Sequence, residues 1–217
     1  DLIVSRGLGD VYKRQPMLSV ILLAAGESRR MGERNKLLLP FRESCFLAHI
    51  ADQILAAKPD ELLVVVGYEQ ERTRQALANR PIQFVENPNY AEGMTTSIRA
   101  GIQAASSEAL GFMICLSDLP FIETAEYQEL MGQFKLLLAE NPQLILRPVV
   151  GDQPGNPVLF SASYREELLS HAKMEGCRGL IRQYKERVHR HPMNTDHVLR
   201  DIDTPEEYER YFVDQPA

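Results

Sequence analysis

Apolar residues in this chain gather in short, nearly unbroken runs. LSVILLA (18–24), ELLVVVG (61–67) and LGFMICL (110–116) are three, and PIQFVEN (81–87) is a shorter fourth. Such runs suit central parallel strands covered on both faces. Between them the period lengthens. Residues 45–57 place Phe46, Leu47, Ile50, Ile54 and Leu55 along one helical stripe, and 69–79 are mostly polar with a narrow apolar face. Residues 95–106 open on TTS, which is helix-capping chemistry, and 123–139 predict a longer helix with Glu near its start. Strand and helix in alternation predict an α/β sheet.

Beyond residue 140 the order loosens. LILRPVV (144–150) and PVLF (157–160) predict strands around the turn GDQPGN, and 163–170 and 177–186 predict helices. HVLRDID (197–203) predicts a late strand. TPEEYERYF (204–212) has a Thr cap, Pro at the first helical position and Glu just after, so it predicts a terminal helix. The expected fold is a three-layer α/β/α sandwich on a mostly parallel mixed sheet, forming one domain over 17–217. Ligands of such sheets sit beyond the carboxyl ends of the strands. The first sixteen residues, DLIVSRGLGDVYKRQP, follow neither period and lack the apolar core and cleavage site of a secretory signal. They are expected to be a non-native leader.

Charge narrows the function classes. The net charge is −6 over 217 residues, against the basic face that generic nucleic-acid binding needs. Any bound anion must therefore be held by a local basic cluster. Cys45, Cys115 and Cys177 are far apart and show no CxxC spacing, so neither a disulfide framework nor a zinc site is indicated. No apolar run approaches the roughly 20 residues of a membrane span. A cytoplasmic protein is expected.

Three polar constellations fall at predicted strand ends. In AAGESRRMGERNK (24–36) small residues let a ligand approach the backbone, successive N–H groups suit phosphate oxygens, and Arg30 and Lys36 supply charge. The spacing is neither GxxxxGK[ST] nor GxGxxG, and the residue types alone equally describe a solvated basic loop. In CLSDLPF (115–121) Asp118 follows a strand, where a carboxylate could hold Mg²⁺ or cap the next helix. In RDIDTPEEY (200–208) Asp201 and Asp203 are expected at the end of a strand, one facing a metal and the other solvent or a cap, with Asp203 in rivalry with Thr204 for capping the last helix. Together they describe a nucleoside-triphosphate–Mg²⁺ site. No His falls in these motifs; His189, His191 and His197 are expected at the surface.

LLAAGESRRMGERNKLLLP (22–40) resembles the signature loop LAAGxSxRMGxxK of the nucleotidyltransferase superfamily, especially molybdenum cofactor cytidylyltransferases. NPNYAEGMTTSIRAGI (87–102), CLSDLPF, GNPVLF (155–160) and DIDTPEEY (201–208) are similar to further motifs of that family. The resemblance implies a Rossmann-like nucleotidyltransferase fold. It implies that Leu23, Ala24, Ala25 and Gly26 lie along the nucleotide, with Ala25 near the base, where guanylyl-transferring relatives usually carry Gly. Arg30 and Lys36 would contact phosphates. Gly93, Met94 and Ser97 would line the nucleotide and acceptor pocket, Asp118 and Asp203 would hold Mg²⁺, and Asn156 and Pro157 would border the acceptor.

The implied activity is transfer of CMP from CTP to the molybdopterin form of the molybdenum cofactor, with Arg30, Lys36 and Asp118 catalytic and a molybdoenzyme as recipient. Two positions depart from the family pattern: Leu119 stands where Gln is frequent, and Cys177 where Asp is frequent. They leave open a sugar or polyol phosphate as acceptor; GTP or ATP as the nucleotide, and a non-catalytic cofactor carrier, are further alternatives.

Overall fold

The computed structural model describes residues 17–31, 35–171 and 176–213. The leader expected over 1–16 lies outside the described residues. In chain order the elements are β1 (Leu18–Ala24), a small hairpin of β2 (Pro40–Phe41) and β3 (Ser44–Cys45), α1 (Phe46–Ala56), β4 (Glu61–Val66), α2 (Gln70–Ala76), β5 (Gln83–Glu86), α3 (Met94–Ala104) and β6 (Gly111–Leu116). There follow α4 (Thr124–Leu138), β7 (Ile145–Val150), β8 (Gln153–Pro154), β9 (Val158–Ser161), α5 (Arg165–Ser170), α6 (Arg178–Gln183), β10 (Val188–Pro192) and α7 (Pro205–Val213).

The sheet runs β10-β7-β9-β6-β1-β4-β5, with β8 added beside β7. β1 is parallel to β4 and β6, β5 to β4, and β10 to β7, while β9 runs antiparallel between β6 and β7. The strand β1 shows why its sequence is continuously apolar. Val20, Leu22 and Ala24 join the core under α1 and α4, whereas Ile21, Leu23 and Ala25 join the core under α3. Both faces are dry, and each fully buried Val, Leu or Ile contributes about 1.5–3 kcal/mol. The three-layer α/β sandwich is thus present.

Two local expectations fail. The segment 197–203 is not a strand: His197–Leu199 form a 3-10 turn and an extended stretch follows. Its apolar residues serve two different clusters, Val198 in the large core and Ile202 in a separate aromatic one, so no two-residue period exists to be paired. The edge strand is instead VHRHP, which lies against β7 alone and is polar at most positions. There His189 is exposed as expected. His191 pairs with Glu129 at 2.7 Å and His197 with Glu126 at 2.9 Å, so neither is a free surface side chain. The second failure is the TTS cap. α3 starts one residue earlier from Gly93, whose φ of 110° suits glycine, and Thr96 Oγ1 donates back to the carbonyls of Gly93 and Asn89.

The separate aromatic cluster positions the carboxyl-terminal segment. Phe41 of the hairpin stacks on Tyr211 of α7 at 4.7 Å, Phe46 meets Tyr208, and Ile202 is buried among them. The Ile202 N–H donates to the Asp118 carbonyl at 3.0 Å. This backbone bond ties the chain just before Asp203 to the turn after β6. Among the described residues no helix is long and apolar enough to cross a membrane.

Candidate active site

The carboxyl ends of β1 and β6 open on a cleft of about 580 Å³. Its floor is the end of β1. Leu23, Ala25 and Gly26 line it, while Ala24 turns into the core beneath α1 and does not. The loop is clamped on both sides. Ser117 Oγ donates to the Leu23 carbonyl at 2.7 Å, and Tyr68 N–H to the Ala25 carbonyl at 3.2 Å. Gly67 makes room for Tyr90, whose side chain would lie 2.7 Å from any Cβ there, and Tyr90 forms part of the cleft wall. On the α3 side Gly93, Met94 and Ser97 line the cleft as expected. Buried Asn87 donates to Ser97 Oγ at 2.9 Å and holds it in place.

Lys36 is the centre of the charged part. It opens a 3-10 turn whose cap, Asn35, accepts from Leu37 N–H and donates to Glu69 Oε2 at 2.9 Å. Ser28 Oγ accepts from the Lys36 N–H at 3.3 Å. The lysine is therefore held by a local scaffold, with its side chain only 10% exposed. Its ammonium lies 2.8 Å from Asp203 Oδ1 and 3.8 Å from Asp118 Oδ2. Arg30, largely exposed, reaches Asp203 Oδ2 at 2.7 Å. Arg34 lies outside the described residues.

Neither carboxylate is a helix cap. α4 is capped by Glu123 in a box with Glu126, well clear of Asp118. At α7 Thr204 Oγ1 accepts from Glu207 N–H, and Glu207 returns the bond to the Thr204 and Asp203 N–H groups. Thr204 thus takes the capping role and frees the Asp203 side chain for the cleft, whereas Asp201 is exposed.

The two acids are tuned apart. Burial pushes the Asp118 carboxyl above its ordinary range despite the opposing pull of Lys36, and Asp203 and Asp201 add to the push. Burial also pushes Asp203 up, but the bonds and charges of Lys36 and Arg30 outweigh it and hold that group below the usual range. Asp118 Oδ1 is buried and has no hydrogen-bond partner among the described residues. An orphaned carboxylate oxygen beside a second carboxylate fits a divalent cation. Asp118 and Asp203 are the carboxylates paired with Lys36, and the fit is to a hard ion that completes its shell from water and phosphate oxygens.

Residues 20–188 match the MobA-like NTP transferase domain. The chain belongs to the MobA-like NTP transferase family. This nucleotidyltransferase is 25% identical over 202 residues to the molybdenum cofactor cytidylyltransferase of Escherichia coli K12, covering 89% of this chain and 97% of that relative. It is 26% identical over 203 residues to the nicotine blue oxidoreductase of Paenarthrobacter nicotinovorans, covering 90% and 96%. It is 30% identical over 130 residues to the bifunctional protein GlmU of a Synechococcus strain, covering 59% of this chain and spanning only 20% of GlmU. Among solved structures, Rv0371c of Mycobacterium tuberculosis H37Rv superposes with a TM-score of 0.79 at 24% identity, covering 92% of this chain and 99% of that one. A further structure of Rv0371c is a complex with manganese, with a TM-score of 0.73 at 23% identity, covering 89% of this chain and 97% of that one.

Asn156 and Pro157 of the transferase separate. Asn156 lines a second cavity beside the cleft, while Pro157 is buried and lines neither. Leu119 packs into the core beneath α4 and lines neither cavity, so its departure from the family pattern falls outside the cleft. Sequence reasoning did not single out Ser28, which lines the cleft and accepts from the Lys36 N–H, nor Asn35 and Glu69, which act through the turn that presents Lys36.

Gly26 gives a test that spares the fold. A Cβ built there meets nothing within 4 Å, and Gly26 is exposed on the cleft floor. Gly26→Val is expected to leave the unfolding midpoint within about 2 °C, as a change under about 0.5 kcal/mol implies. It is expected to raise the KM for nucleotide about tenfold or more by blocking close approach, read by steady-state kinetics.

Proposed function

We propose that this protein transfers CMP from CTP to the molybdopterin form of the molybdenum cofactor and releases pyrophosphate, with Mg²⁺ as the divalent ion. One observation carries the reading: a single buried ammonium lies within 4 Å of two carboxylates at the rim of a small-residue cleft. Likeness over nearly the full length to a molybdenum cofactor cytidylyltransferase supports the acceptor.

Asp118 and Asp203 would hold the cation, which when bound offsets charge on the phosphate oxygens. Without ligand the two acids are balanced by Lys36 and Arg30. With Asp118 and Asp203 holding the cation, Lys36 and Arg30 would be free to pair with the triphosphate oxygens. An acceptor phosphate oxygen attacks the α-phosphorus in line, the bond to the β-phosphate oxygen breaks, and pyrophosphate departs toward Lys36 and Arg30. The attacking phosphate is ionised at neutral pH, so no general base is needed. Catalysis is then positioning and preorganised charge. Ala25 on the floor is buried, and its methyl group takes space that a glycine would leave to a larger base, which supports a small pyrimidine.

The test is pyrophosphate release with CTP, GTP and ATP, each with Mg²⁺, against molybdenum cofactor and a set of sugar and polyol phosphates. Preference for CTP and the cofactor supports the reading. A sugar or polyol phosphate as the better acceptor, or no release with any acceptor, overturns it.

A further inference from the structure

Beside the nucleotide cleft lies a second cavity of about 340 Å³, sharing Met94 and Leu116 with it as a common wall. The sheet register shows where it leads. Ile114 of β6 faces Val158 of β9. Arg147 of β7 comes one residue after Leu146, which faces Leu159 of β9. The cavity thus extends from β6 across β9 to β7, beneath α3 and α6. Neighbouring strands lie about 4.8 Å apart, so Arg147 stands roughly 10 Å across the sheet from β6.

The middle of the cavity is apolar, formed by Ile98, Ile114, Val158 and Ile181. Its far end is cationic. Arg147 donates Nε to the Gly155 carbonyl at 3.2 Å, and Arg178 opens α6. Among the described residues neither has a carboxylate partner. The two guanidinium groups oppose one another: burial first, and the charge of Arg178 second, press Arg147 below the ordinary arginine range. Cys177 also lines the cavity but supplies no counter-charge. Burial pushes its thiol up to about 12, so it is neutral at physiological pH. Like charges gathered in a partly dry cavity are stabilised by an anion, and the planar guanidinium fork matches phosphate or carboxylate oxygens.

We propose that this cavity seats the acceptor by a second anionic group, separate from the reacting phosphate, held between Arg147 and Arg178 at the end remote from the nucleotide. The acceptor is then an elongated compound. Its reacting group meets the nucleotide at the Met94–Leu116 wall, its apolar body lies over Ile114 and Val158, and a separate acidic group sits roughly 10 Å from the reacting end. This rests on the reading of the neighbouring cleft as the nucleotide site.

The chain has no Trp, so naphthyl fluorescence can be followed without indole background. The probes are 2-naphthyl phosphate, neutral 2-naphthol and inorganic phosphate, titrated with and without saturating MgCTP. The phosphate ester is expected to bind at least about tenfold more tightly than either simpler probe and to remain bound beside MgCTP. Arg147→Gln and Arg178→Gln are each expected to weaken it about tenfold, with MgCTP affinity and thermal unfolding unchanged. Arg178 lies at the surface, so its variant folds even if the Arg147 one does not. Equal binding of ester and naphthol, displacement of the ester by MgCTP, or wild-type binding in Arg178→Gln overturns the proposal. If MgCTP does not bind while the ester results hold, the nucleotide reading of the cleft fails and the anion site stands.

Discussion

Replacing Lys36 with glutamine lowers the rate of pyrophosphate release on the order of 10²–10³-fold and leaves the chain folded. Glutamine keeps the length and can still donate to Asp203, but it removes the charge that links Asp203 with Asp118. What remains beside the two acids among the described residues is Arg30, whose side chain is 75% exposed and so acts through well-screened solvent. The scaffold that presents residue 36 uses Asn35, Ser28 and Glu69 and is untouched by the change. Turnover should therefore collapse while the KM for the acceptor stays nearly constant. Steady-state kinetics beside a thermal melt decide the matter. A variant within threefold of wild type would remove Lys36 from the chemistry.

Asp118→Asn should have a still larger effect on rate and the opposite effect on stability. If this carboxylate holds the cation, several kcal/mol of charge stabilisation are lost, on the order of 10³-fold or more in turnover. Yet burial is the main influence on Asp118 and outweighs the pull of Lys36, so its ionised form costs the ligand-free fold free energy at neutral pH. A neutral isostere relieves that cost, and the unfolding midpoint of the ligand-free protein should rise. The wild-type protein should in addition gain stability from Mg²⁺, a gain the variant should lack. A lower midpoint in the variant, or equal stabilisation of both proteins by Mg²⁺, would show that Asp118 is a structural acid. Strain kept at a site for its function is the expected pattern when stability and activity pull apart.

The central strands were readable because burial on both faces leaves an unbroken apolar run, and LSVILLA, ELLVVVG and LGFMICL all lie within strands or one residue of them. The edge was not. VHRHP touches one neighbour and exposes much of its surface, so nothing in its composition distinguishes it from a loop. HVLRDID misled for a related reason: Val198 and Ile202 are apolar because two unrelated clusters need them, which imitates the spacing of a strand. The choice between Asp203 and Thr204 as helix cap could not be made from residue type, since both side chains can accept the bond. It was decided by Lys36 and Arg30, which occupy Asp203 and leave the cap to Thr204.

By itself the sequence determined the layered α/β architecture and the small-residue loop after the first strand, and it offered Arg30, Lys36, Asp118 and Asp203 as candidates for one site. All of these depend on local composition and period, which neighbours along the chain share. Only the tertiary structure decided that Lys36 meets an acid 167 residues away, that Ala24 and Leu119 face the core instead of the cleft, and that Arg147 and Arg178 share one cavity. Such pairings arise from strand order and from the docking of α7 on the aromatic cluster. Contacts of that range leave no period in the chain, because the residues that meet have no fixed spacing along it.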